Sequence, residues 1–98
     1  MASYKKAIEI DPKDADAYHN MGIALRNLGR YEEAVASYHK AIKLDHNISY
    51  TYENLKWLLL NELKTAGRLA ESVKFLEGII AQHHGNQRAR ATAEALKA

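Results

Sequence analysis

The sequence contains no cysteine and a single proline among its 98 residues. Without cysteine there can be no disulfide and no thiolate metal centre, which fits a reducing compartment. One proline and five glycines leave few interruptions to helical structure. No apolar run approaches the roughly 18 residues needed to cross a bilayer. The opening stretch MASYKKAIEI lacks the apolar core of a secretion signal, so a cytoplasmic chain without a membrane partner is expected. A surplus of charge is also missing. Fourteen Lys and Arg against twelve Asp and Glu give +2, too little to point to nucleic acid or an anionic membrane. The basic excess gathers late, at Arg88, Arg90 and Lys97, without aromatic side chains on which bases could stack. Nucleic-acid binding is therefore not expected.

What is present is apolar residue content of 47%, dominated by helix formers, with no strand-like alternation. One small all-α domain follows, near the size at which a single core becomes marginal. Spacing relaxes that limit. Tyr4, Lys6, Ala7, Ile8 and Asp11 recur as Tyr38, Lys40, Ala41, Ile42 and Asp45, each 34 residues later, and Tyr18 and Asn20 recur as Tyr52 and Asn54. A period of this size implies stacked helical hairpins, each burying its apolar face on the next.

In chain order, residues 1–13 read as the second helix of a partial repeat, ended by Asp11-Pro12. Residues 14–47 form a full repeat. Asp14 is placed to cap a helix running to about Leu28, with Tyr18, Met21, Ala24, Leu25 and Leu28 on its apolar side. Gly22, inside that helix, implies an approach too close for a side chain, and Gly29 supplies a left-handed turn. A second helix from Tyr31 to about Leu44 points Ala34, Val35, Tyr38, Ala41 and Ile42 inward and Glu32, Glu33, His39, Lys40 and Lys43 outward.

The pattern Tyr18, Met21, Gly22, Leu25, Gly29, Tyr31, Ala34, Tyr38 and Ala41 closely resembles the tetratricopeptide repeat. Pro12 stands where that family often has proline, whereas His46 replaces it in the next repeat. The resemblance implies a right-handed α-α superhelix of antiparallel hairpins, about five to six helices in this chain.

Residues 48–85 read as a diverged repeat. After a cap at Asn47, a helix is expected from Ser49 to about Thr65, with Tyr52, Leu55 and Leu59 at the repeat positions. Lys56 takes the place that Gly22 holds earlier, so the hairpin must open or the lysine must snorkel outward. Gly67 to Val73 echoes Gly29 to Val35 at a separation of 38 rather than 34 residues. Four extra residues make about one helical turn, so a longer first helix is expected. The next helix, from about Leu69 to Gln82, carries Leu69, Val73, Leu76, Ile79 and Ile80 inward, with Ser72 in the small-residue position. His83-His84-Gly85 closes it. Residues 86–98 form a thin capping helix behind Asn86, with Ala89, Ala93 and Leu96 as its inner stripe.

No catalytic residues are expected, since no serine or threonine stands in a recognisable arrangement with histidine and acid, and no glycine-rich phosphate loop occurs. No cofactor or metal is expected either. His83 and His84 are adjacent and point about 100° apart on a helix, unlike an i, i+4 metal pair. Asp14 with Asp16 and Glu32 with Glu33 read as acidic charges complementing helix N-termini.

The tetratricopeptide resemblance implies a protein-protein interaction module that holds a peptide, helix or partner protein in a concave groove lined by the first helix of each repeat. Carried onto this chain, the groove positions are Asp16, His19, Ile23, Arg26 and Asn27, then Tyr50, Glu53, Asn54, Trp57 and Asn61. One subgroup of the family clamps the terminal carboxylate of chaperone tails. Asn54 and Arg88 match two of its positions, but His19, Ile23 and Thr92 occupy places where lysine, asparagine and arginine are required, so that clamp is not expected. Trp57 admits two readings: cover by the C-terminal helix, or exposure as a binding hot spot beside Ile23. A second functional reading is self-association, a homodimer through the exposed repeat faces.

Overall fold

The structure, a computed structural model, describes residues 9–11, 13–62 and 66–97. Five helices follow one another among them: α1 (Ala15–Asn27), α2 (Tyr31–Leu44), α3 (Ser49–Asn61), α4 (Ala66–Gln82) and α5 (Gln87–Lys97). The architecture is all-α, an array of helical hairpins. The partial N-terminal helix lies outside the described residues except for Glu9 and Ile10, which are helical.

Local chemistry sets the bounds of the first hairpin. The Asp14 carboxylate accepts the Ala17 N–H at 3.2 Å, satisfying one of the orphan donors at the start of α1. At the other end Gly29 adopts φ 78°, and the Gly29 and Arg30 N–H groups donate back to the Arg26 and Leu25 carbonyls, both at 2.9 Å. This is a Schellman turn, and it needs a residue that tolerates left-handed backbone. The reversal brings α1 and α2 together over most of their length. A Cβ on Gly22 would stand 2.5 Å from a ring carbon of Tyr38, which is fully buried, so glycine is required for the approach.

The core runs from Leu25 in α1 through Ala34, Tyr38 and Ile42 of α2 and Tyr52, Leu55, Leu58 and Leu59 of α3. It continues to Leu76 and Ile79 of α4 and Ala89, Ala93 and Leu96 of α5. The inward faces expected for α2 and α5 are thus buried as read from the sequence. In α4, Ser72 and Leu76 are fully buried, while Leu69, Val73 and Ile80 pack at the core margin. Asn86 caps α5 through its Oδ1, which accepts the Ala89 N–H at 3.0 Å.

Several local expectations are corrected. α3 ends at Asn61 and has 13 residues, as many as α1, so the longer first helix is absent. Part of the additional length lies instead at the start of α4, which begins at Ala66 and contains Gly67 rather than following a glycine turn. Residues 63–65 are outside the described residues. Asn47 does not cap α3; Ile48 occupies that position with no side-chain bond. Leu28 is 60% exposed because it is the C-cap residue of α1, already turning away from the core. His39 does not face outward. α4 crosses its side of α2, stacking Phe75 on the imidazole at 4.2 Å and placing Ser72 Oγ 3.1 Å from Nε2. Burial pushes the His39 pKa down to about 4, partly offset by the Glu71 carboxylate.

Candidate partner-binding groove

α1, α3 and α5 are the first helices of successive repeats, and two hollows lie between them. The first, about 450 Å³, is lined by Arg26 of α1 and Glu53, Asn54, Lys56, Trp57, Leu60 and Asn61 of α3. The second, about 510 Å³, lies between the N-terminal halves of α3 and α5. Glu53 and Lys56 belong to both walls, so the hollows meet across α3.

Trp57 sits in the first hollow and is 47% exposed. The C-terminal helix does not cover it. Helical spacing explains why: Leu55, Leu58 and Leu59 fill the core side of α3 and are fully buried, leaving Trp57 on the opposite side. Its neighbour across the hollow is Arg26, whose guanidinium carbon is 5.5 Å from the ring centroid, a cation-π distance. The same guanidinium donates to Asn54 Oδ1 at 3.1 Å. Asn54 and Asn61 each donate their Nδ2 to the carbonyl one turn earlier, Tyr50 at 2.8 Å and Trp57 at 2.9 Å. These bonds fix both amides and leave the Asn61 oxygen toward solvent.

Lys56 resolves its conflict with the small-residue position by snorkelling. Its ammonium pairs with Glu53 at 3.2 Å, and among the described residues α3 and α4 make no extended close backbone approach like that of α1 and α2.

The remaining expected groove residues are distributed differently. Tyr50 donates its hydroxyl to Asp16, closing the valley between α1 and α3 toward their N-termini. That bond, with the surrounding Asp45 and Asp14 charges, pushes the Tyr50 pKa up to about 12. His19 is not presented to the groove. It is buried beneath Tyr50, 4.5 Å from that ring, with Nδ1 2.8 Å from Thr51 Oγ1. Burial lowers its pKa, opposed by Asp16 and helped by Arg26. Ile23 is partly buried at the core margin, and Asn27 is exposed outside the hollow.

Sequence reasoning missed two roles. Lys56 looked like a packing misfit and lies on the wall of both hollows. Asn86 looked like a cap only. Its Nδ2 also donates to the His46 carbonyl at 2.7 Å and the Tyr52 hydroxyl at 3.1 Å, joining α5 to the loop before α3. His46 and His83, from the two interhelical loops, stack at 3.5 Å beside it. The recurrence of a capping residue at Asp14 and Asn86 marked the position but not its second set of bonds.

The paired helices agree with comparison to known proteins. Residues 3–36 match the family described as tetratricopeptide repeat. That match spans 34 of the 98 residues, and this stretch is similar to a tetratricopeptide repeat. The match suggests a protein-protein interaction module. An uncharacterized protein of Methanocaldococcus jannaschii is 58% identical to this chain over 31 residues, a stretch covering 32% of this chain and 36% of that protein. No described helix is long and apolar enough to cross a membrane.

Proposed function

We propose that this chain holds a peptide or a partner's helix in the groove formed by α1, α3 and α5, without chemistry of its own. The observation that supports the reading is Trp57: a large aromatic, nearly half exposed, lining a hollow in which Arg26 and Asn54 are already bonded to each other. Tryptophan in such a setting has the character of an interface hot spot, because a partner side chain can bury its ring while the surrounding polar rim excludes water. Asn54 and Arg26 are held by each other before any partner arrives, which lowers the ordering cost of association. Of the ten groove residues read from the sequence, Arg26, Glu53, Asn54, Trp57 and Asn61 line this hollow, and they form the proposed contact set.

The variant Trp57→Ala tests it. With helicity unchanged by circular dichroism, partner binding measured by calorimetry is expected to weaken by roughly 2 kcal/mol or more, the range of a hot-spot truncation. Wild-type affinity in that variant contradicts the groove. Self-association is the second reading, and it draws on the exposure of Ile10 at 78% and Leu28 at 60%. A constant monomeric mass by light scattering over a wide concentration range removes it.

A further inference from the structure

The walls of the two hollows differ in charge from the chain as a whole, and resting on the groove reading above, that difference bears on what the groove accepts. Three cations line the path: Arg26 in the first hollow, Lys56 between the two, and Arg88 in the second. The one carboxylate on these walls, Glu53, is paired with Lys56. Neither Arg26 nor Arg88 forms an ion pair among the described residues. Carboxylates do gather nearby, but elsewhere: Asp14, Asp16 and Asp45 surround Tyr50. The Tyr50 bond to Asp16 closes that part of the valley. The path from Trp57 runs across Glu53 and Lys56 to Arg88, and Asp14, Asp16 and Asp45 do not line it.

We propose that the occupant of this path is an extended acidic peptide segment, with an apolar side chain seated on Trp57 and Leu60 and internal Asp or Glu side chains meeting Arg26, Lys56 and Arg88. Arg26 is the principal receptor. Its guanidinium is pinned between the Trp57 ring and Asn54 Oδ1, yet the bond to Asn54 uses one of its five N–H donors. A planar fork held in place with donors to spare suits a carboxylate, whose two oxygens can accept in parallel. The cations sit on three different helices instead of converging on one point. That spread matches charges distributed along a chain, whereas a single terminal carboxylate calls for convergent donors. Opposite charge along the path also speeds encounter and disfavours basic segments.

The experiment begins with the full chain panned against a randomised peptide library, followed by titration of the enriched peptides using the emission of Trp57, the sole tryptophan. Enriched peptides are expected to carry Asp or Glu around one apolar residue and to shift Trp57 emission. They should lose about tenfold or more in affinity in Arg26→Gln, retain part of it in Arg26→Lys, and weaken as salt rises. Arg88→Gln, a change at an exposed position of α5, is expected to weaken them too, and guards against a folding defect in the Arg26 variants. Amidating the peptide C-terminus should leave affinity unchanged; loss of binding on amidation would overturn the assignment to internal carboxylates. Neutral or basic peptides that shift Trp57 emission reject the acidic preference while leaving the groove reading intact. Acidic peptides that neither report on Trp57 nor respond to Arg26→Gln reject the site, and failure to enrich any peptide rejects both readings.

Discussion

The two hairpins of this chain solve the same packing problem in opposite ways. In the first, Gly22 lets the Tyr38 ring lie against the backbone of α1, and the helices close along their length. In the second, Lys56 stands at the equivalent repeat position, α3 and α4 are held further apart, and the lysine carries its charge out to Glu53. Closing the first hairpin yields a stable wedge of buried side chains. Leaving the second open turns the same position into part of a groove wall. A repeat position that is structural in one copy is thus released for surface chemistry in the next.

Exchange of the residues sharpens that contrast most. Gly22→Lys forces a long side chain into the space of a buried tyrosine ring, and thermal or chemical denaturation is expected to show a loss of about 3 kcal/mol or more, or no folded protein. The reverse change, Lys56→Ala, removes a surface pair at a position already open, and should alter stability by less than about 1 kcal/mol. Equal costs at the two positions would break the comparison.

Acid tests a different contact between the hairpins. His39 is held neutral between α2 and α4, with a folded pKa of about 4 against 6.5 for the free side chain. Between those values the unfolded chain binds the proton and the folded chain does not, so stability falls as pH drops from about 6.5 toward 4 and is fully lost from this source below that. The shift sets an upper bound of about 3 kcal/mol. His39→Phe should flatten the acid limb of a stability-pH curve, and an unchanged slope would contradict the burial of this histidine.

The smallest effects separate two tyrosines. The Tyr52 hydroxyl donates to the His46 carbonyl at 2.7 Å and accepts from Asn86, so Tyr52→Phe is expected to cost about 1 kcal/mol. The buried Tyr38 hydroxyl has no partner among the described residues. Tyr38→Phe should therefore be neutral or stabilising by up to about 1 kcal/mol, read from urea midpoints at constant m-value.

Much of the first hairpin was legible in the sequence because its signals are local. The period, the Asp14 cap, the Gly29 turn and the inward faces are written within a few residues of where they act. The misread residues depend on neighbours distant in sequence. His39 looks outward on its own helix and is covered by Phe75, 36 residues later. His19 falls on the groove side by register but is roofed by Tyr50. Gly67 carries the composition of a turn and lies within a helix. For the groove, the register of α3 identified Trp57, Asn54 and Asn61. The joint role of Lys56 in both hollows needed the spatial approach of α5.

The most direct test of the groove is collisional quenching of the single tryptophan by acrylamide, in the free protein and with a saturating enriched peptide. The account predicts Trp57 emission that is readily quenched when free and protected when bound, as a nearly half-exposed ring in a binding hollow requires. Emission already shielded in the free protein, or equally quenched with the peptide bound, would contradict it.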